Sequence, residues 1–133
     1  QTKYAGKRSK KELLSYLNGA SISHRCLATV ALAQQGELTA LLRAMEHNPH
    51  DAVRLVYLSS LAFGGKKALK ILEEENAGDN EELFRIVQSL RRIGGKPAKA
   101  MCDRFVEDLD DEADDIVSLI RDEVQSFEED LES

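Results

Sequence analysis

Arginine and glycine recur in this chain about every 30 residues, and that period limits the folds the chain can adopt. The recurring positions are Arg25 with Gly36, Arg54 with Gly64 and Gly65, and Arg85 with Gly94 and Gly95. A repeat of this length holds two helices around a glycine turn, and such repeats bury their apolar faces only by stacking on one another. The period therefore predicts an all-α fold, a right-handed α-solenoid of stacked helical hairpins.

Apolar side chains spaced three and four positions apart place the helices on either side of these glycines. A tight reversal between antiparallel helices needs a left-handed backbone, which glycine adopts without steric cost. We therefore predict one helical-repeat domain over residues 1–133, with an extra helix at each end. Its parts are a basic segment with a short helix at 1–20, helical hairpins at 21–50, 51–80 and 81–109, and an acidic helix at 110–133.

Polar residues mark where several of these helices should begin. Ser9 and Glu12 have the spacing of a capping box, in which each side chain accepts a hydrogen bond from the other residue's backbone amide. Asp51 is expected to cap the first helix of the second hairpin. Asp79 with Glu82 should do the same for the third.

The composition is typical of a folded domain, since 42% of the 133 residues are apolar and 32% are charged. No stretch approaches the ~18 consecutive apolar residues of a membrane-spanning helix, so we expect no membrane partner. Cys26 and Cys102 each fall in an apolar helical stretch, which predicts buried free thiols and a reducing, cytoplasmic location. Gln1 in place of a methionine indicates a fragment or a processed product.

The second hairpin carries the clearest resemblance to a known family. Its residues Asp51–Arg54, Leu61, Gly64–Gly65 and Ala68–Leu72 resemble HEAT-type repeats, in particular the short repeats of bilin-lyase-like HEAT proteins. The similarity extends less closely to both neighbouring hairpins and covers residues 21–107. The resemblance implies a helical scaffold with an extended binding surface.

In HEAT repeats an acidic residue and an arginine near the first helix form a ladder between neighbouring repeats. The resemblance implies that Asp51 with Arg54, and Glu82 with Arg85, take these places here. The first hairpin departs from the pattern, because Ile22 stands where the acid should be. The period is also shorter than the ~40–47 residues of standard HEAT or armadillo repeats, and an ordinary helical bundle is the alternative.

No residue pattern predicts catalysis or a bound cofactor. His47 and His50 flank a proline turn, but no cysteine or carboxylate stands near them at ligand spacing, so we expect no metal site. The acidic run that begins at Asp108 lacks the glycine and the final glutamate of a calcium loop. His24 and Cys26 are two residues apart and would point away from each other on a helix. We therefore predict a chain that is not an enzyme and needs no cofactor.

Charge is distributed unevenly along the chain. Residues 101–133 hold 14 acidic residues against two arginines, whereas the net charge of the whole chain is −6. The basic residues cluster around the second and third glycine turns, which would lie along one edge of a solenoid. The predicted partner-binding residues are Lys66, Lys67, Lys70, Arg91, Arg92, Lys96 and Lys99 along this edge, with Arg43 on the concave face. A merely solvated charged face is the alternative.

These features favour a non-catalytic scaffold that binds an acidic protein partner through the basic edge. A nucleic-acid-binding module that uses the same lysines and arginines is the alternative, and the negative net charge and scarcity of aromatic residues oppose it. Self-association is a third hypothesis. In that case the acidic C-terminal segment pairs with the basic edge, either in a second copy or within the same chain.

Overall fold

A computed structural model describes residues 8–19, 21–110 and 114–132, and within these ranges the chain forms helices, turns and loops without a strand. The predicted all-α class is confirmed, whereas the solenoid arrangement stays a prediction. The helices are α1 (Lys10–Leu17), α2 (Ile22–Gln34), α3 (Leu38–His47), α4 (Asp51–Ser60), a 3-10 helix (Leu61–Ala68), α5 (Leu69–Glu73), α6 (Asn80–Ile93), α7 (Lys96–Phe105) and α8 (Asp115–Glu132). In this part of the chain, none of them combines the length and apolarity that crossing a membrane requires.

Side-chain caps start α1 and α6 where the sequence predicts them. The Ser9 hydroxyl oxygen accepts a hydrogen bond from the backbone amide of Glu12 at 3.2 Å. The Asp79 carboxylate accepts from the amide of Glu82 at 2.9 Å, and the Glu82 carboxylate accepts in turn from the amide of Gly78 at 2.8 Å. Both carboxylates also lie at the positive end of the α6 dipole, which adds to the stability of this start.

The cap of α4 differs from the prediction. His50, not Asp51, precedes the helix in an extended conformation, and its Nδ1 atom accepts a hydrogen bond from the amide of Ala52 at 3.2 Å. Asp51 is the first helical residue. There its carboxylate can stabilise the helix start electrostatically, even though it makes no capping hydrogen bond.

Glycines turn the backbone at the three places that the period indicates. Gly36, Gly65 and Gly94 have φ angles of 78°, 61° and 77°, which lie in the left-handed region. At Gly36 the turn is a Schellman motif, because the amide of Glu37 donates to the carbonyl of Leu32 at 3.0 Å. The positive φ angles that the predicted turns require are confirmed at all three glycines, but Gly65 and Gly94, with ψ angles of −142° and 174°, do not have the left-handed helical conformation.

The second predicted hairpin is less regular than the others. After α4 the chain continues into the 3-10 helix, which is interrupted at Gly65, and α5 has only five residues. The two glycines have different roles here. Gly65 supplies the positive φ angle, whereas Gly64 makes room for Leu38, whose Cδ1 atom would lie 2.4 Å from a Cβ added at Gly64.

The chain divides into two compact units, Gln1–Gly64 and Gly65–Ser133. In the first unit α2 packs against α1, α3 and α4, and the core between them includes the buried side chains of Leu13, Leu32, Leu41, Tyr57 and Leu58. In the second unit α6 packs against α7 and α8, and the core includes Ile86, Leu90, Cys102, Ile120 and Phe127. Whether residues 1–133 form one domain stays a prediction.

The first of the recurring arginines joins two helices of the first unit. Arg25 lies on α2 with 6% of its surface exposed, and its Nη2 atom donates to the backbone carbonyl of Asn48, the residue that ends α3. The positive charge therefore faces the negative end of the α3 dipole. A backbone carbonyl, not a carboxylate, is thus the hydrogen-bond partner of this buried cation.

The acidic C-terminal helix packs along its apolar face. It begins at Asp115, later than position 110, and residues 111–113 lie outside the described ranges. Val117, Ile120 and Phe127 are buried, with exposed fractions of 5%, 0% and 0%. The contacts with α6 and α7 show that α8 completes the core of the second unit.

The role of α8 in this core predicts a large difference between two substitutions on the same helix. Phe127→Ala should lower the free energy of unfolding by about 3–5 kcal/mol, because it removes a fully buried ring and leaves a cavity. Leu131→Ala, at a side chain that is 39% exposed, should cost under about 1.5 kcal/mol. Urea unfolding followed by circular dichroism measures both. Equal losses would contradict the packing of α8 described above.

Candidate functional site

Six of the eight predicted partner-binding residues lie on the surface and form no ion pair with another described residue. Five belong to the second unit and one, Arg43 on α3, belongs to the first. The six exposed residues are Arg43, Lys66, Lys67, Lys70, Arg92 and Lys96. Their charges are available to a ligand at no cost in internal ion pairs.

Arg91, in the last turn of α6, is held by two carboxylates of α8. Its Nε atom donates to Asp130 at 2.8 Å and its Nη1 atom to Glu123 at 3.0 Å. These hydrogen bonds, that of Asp130 first, raise the pKa of the guanidinium above its already high usual value. Arg91 is therefore permanently charged and already has two anionic partners.

Lys99, on α7, is held in the same way and is more deeply buried. Its side chain is 11% exposed, and its Nζ atom lies 2.7 Å from the carboxylate of Asp103 and 3.2 Å from that of Glu128. Burial alone would lower the pKa of this amine, but the hydrogen bonds to the two carboxylates outweigh it and raise the pKa above its usual value. The charge of the largely buried Lys99 is thus neutralised by carboxylates of its own chain.

Two residues of the predicted basic edge therefore differ from the rest. Arg91 and Lys99 both bind α8, so the acidic C-terminal segment folds back onto the basic residues of its own chain. This is one of the two pairings that the charge distribution left open. The sequence shows a strongly acidic helix after basic turns, and this pattern indicates pairing. It does not show which basic residues the helix contacts. A continuous edge from Lys66 to Lys99 stays a prediction.

Two of the three exposed lysines near Gly65, Lys66 and Lys67, stand at the start of a helical stretch. Lys66 and Lys67 directly follow Gly65, where the helical run is interrupted, and so begin the stretch that continues into α5. Cations at a helix start oppose the helix dipole by about 0.3–1 kcal/mol each before screening. Lys70 precedes Glu74 by four residues, yet the two form no ion pair within the described structure. The helix dipole therefore does not account for Lys66 and Lys67, whereas Lys70 lies in the last turn of α5, where a cation is favourable.

An open cleft of about 560 Å³ lies in the second unit, and no sequence motif predicts it. Its rim carries the carboxylates of Glu75, Asp79, Asp108, Asp110 and Asp114. Arg104 also lines it, with its guanidinium 3.6 Å from Glu73. The described lining has no histidine, cysteine, serine or lysine, so its ionisable groups are these carboxylates and the Arg104 guanidinium. The residues of this cleft come from three separate loops and helix ends, which is why no short motif reveals them.

The two cysteines differ in burial, and the pKa of each thiol is raised. Cys102 is buried, and burial, followed by the nearby Asp103 charge, raises the pKa of its thiol to about 11. Cys26 is a free thiol and only half-buried, contrary to the prediction, and burial still raises its pKa. Among the described residues, no three His, Cys, Asp or Glu side chains are placed to hold a metal ion.

Comparison with known proteins gives no match, since no family model, curated protein or solved structure is significantly similar to this chain. The HEAT-like resemblance and the function it implies therefore rest on the residues alone and stay predictions.

The buried pairing of Lys99 predicts an unequal effect of two lysine substitutions on α7. Lys99→Met should lower the free energy of unfolding by about 1–2 kcal/mol. The reason is that Asp103 on α7 and Glu128 on α8 then lose the positive charge that both of them bind. Lys96→Met, at an exposed lysine with no ion pair in the described structure, should change it by less than about 0.5 kcal/mol. Chemical denaturation measures the free energy of unfolding of both variants. If Lys99→Met leaves that free energy unchanged, the two ion pairs of Lys99 do not stabilise the fold.

The raised pKa of Cys102 predicts that its thiol reacts slowly with alkylating reagents. Only the thiolate reacts, and Cys102 is both buried and mostly protonated at neutral pH. In the Cys26→Ser variant, alkylation of Cys102 at pH 8 should therefore be at least about 100-fold slower in the folded protein than in urea. The Cys102→Ser variant, which keeps the half-buried Cys26, should be alkylated faster in the folded state. Mass spectrometry follows both reactions, and equal folded rates would contradict the burial of Cys102.

Proposed function

We propose that this chain is a non-catalytic protein-interaction scaffold, built from HEAT-like helical hairpins, which binds an acidic protein partner through Lys66, Lys67 and Lys70. The observation that carries the proposal is the state of these lysines, which are exposed and have no carboxylate partner among the described residues. Arg91 and Lys99 differ, because α8 already neutralises them. Of the six exposed residues without an ion pair in the described structure, three therefore lie close together on the segment that follows Gly65.

Two further features support binding rather than catalysis. The described lining of the acidic cleft has no histidine, cysteine, serine or lysine, and the thiol of Cys102 is buried with a raised pKa. Both cysteines are free, which supports a reducing compartment and, within a cell, the cytoplasm. Exposed charges of this kind steer an oppositely charged partner and select it more than they add affinity.

The partner we favour is acidic protein rather than nucleic acid. Glu73 and Glu74 are exposed on the same short helical stretch as the three lysines. A phosphate backbone is a continuous row of negative charge, and it would meet these glutamates as well as the lysines. The phosphates of a duplex are fixed in position, whereas a flexible peptide can turn its carboxylates away from Glu73 and Glu74 and towards the lysines.

Fluorescence anisotropy with a labelled polyglutamate peptide tests the proposal directly. Lys66→Gln/Lys67→Gln/Lys70→Gln should weaken binding about tenfold, from the loss of three exposed ion pairs. The control Lys3→Gln/Lys7→Gln/Lys11→Gln changes the net charge by the same amount and should have little effect. Equal losses would indicate non-specific attraction, and tighter, strongly salt-dependent binding of duplex DNA or RNA by the unaltered chain would favour the nucleic-acid alternative.

A further inference from the structure

The second unit contains positive charge that its own acidic helix covers. Arg91 and Lys99 are bound by three carboxylates of α8, those of Glu123, Glu128 and Asp130, at distances of 2.8 to 3.2 Å. These carboxylates surround Phe127 in the sequence, and the ring of Phe127 is fully buried. The helix thus presents acidic side chains to the two cations while its apolar face stays fixed in the core.

The three carboxylates are not equally exposed. The side chains of Asp130 and Glu128 are 52% and 51% exposed, whereas that of Glu123 is 20% exposed. Rotation of Asp130 and Glu128 into solvent does not require α8 to leave the core, because neither side chain is packed in it. A carboxylate from outside can therefore replace Asp130 at Arg91 or Glu128 at Lys99, at the cost of a part-exposed ion pair, while Glu123 and Asp103 stay paired with the two cations.

We propose that Glu128 and Asp130 act as built-in competitors for a carboxylate-rich partner, and that Arg91 and Lys99 form a second, normally occupied part of its binding surface. The inference rests on the proposed function, since it concerns the same class of partner. The internal carboxylates lower the affinity of the surface and restrict it to partners with enough acidic residues to displace them. The partner chemistry that the second part fits is a row of carboxylates, because Phe127 stays in the core and only the positions of Glu128 and Asp130 are exchanged.

Two matched double variants on α8 test the competition. Glu128→Gln/Asp130→Asn removes the competing charges and keeps the shapes of the side chains. Asp122→Asn/Glu132→Gln makes the same two chemical changes at exposed carboxylates that form no ion pair within the described structure. The polyglutamate peptide is the ligand, and thermal unfolding establishes that each variant is folded. Glu128→Gln alone serves if the double variant unfolds.

We expect Glu128→Gln/Asp130→Asn to bind polyglutamate about three- to tenfold more tightly than the unaltered chain, and the control to stay within about twofold. Adding Arg91→Gln to the first variant should remove much of the gain. Equal gains in both double variants would mean that net charge alone matters, and no gain in either would mean that Glu128 and Asp130 do not compete; either result overturns the inference.

The experiment also separates this inference from the proposed function. If the unaltered chain binds polyglutamate through Lys66, Lys67 and Lys70 but the α8 variants do not gain affinity, only the inference fails. If neither the unaltered chain nor any variant binds, both fail.

Discussion

The docking of α8 on α6 and α7 is the interaction on which the second unit and its charged surface depend. Burial of Phe127 and Ile120 fixes the helix, and the fixed helix brings Glu123, Glu128 and Asp130 to Arg91 and Lys99. Ion pairs this exposed would contribute little by themselves, and a mobile helix would lose them to solvent. The apolar contact therefore comes first in the energetics, and the charge pairing follows from the position that it imposes.

This order explains why the basic residues of one chain have two different states. The lysines next to Gly65 lie on a short helical stretch that α8 does not neutralise, so their charges remain exposed. Arg91 and Lys99 lie on the helices against which α8 packs. A strongly acidic helix that packs against its own basic neighbours reduces the positive field of the domain without abolishing it. Three of the six exposed residues without an ion pair in the described structure lie close together on residues 66–70, and such a cluster favours selective over general attraction to anions.

Features set by local backbone chemistry could be predicted from the sequence. Gly36, Gly65 and Gly94 have positive φ angles because a helical reversal needs them, and Ser9 and Asp79 cap helices because their side chains reach the nearest amides. Features set by distant contacts could not be predicted. Gly64 is required by Leu38, 26 positions away in the sequence. The acidic cleft likewise combines residues from separate loops and helix ends. The charge distribution allowed the acidic segment to pair within the chain, but only the packing of Phe127 shows which cations it meets.

The most direct test of the account is a nuclear magnetic resonance titration of the isotope-labelled chain with polyglutamate, in which the backbone amide shifts are followed residue by residue. The account predicts that the amides of residues 66–70 shift first. Those around Arg91, Lys99 and α8 should follow only at higher peptide concentration, because the internal carboxylates must be displaced. Shifts that start at α8, or that spread evenly over the basic residues of both compact units, would contradict it.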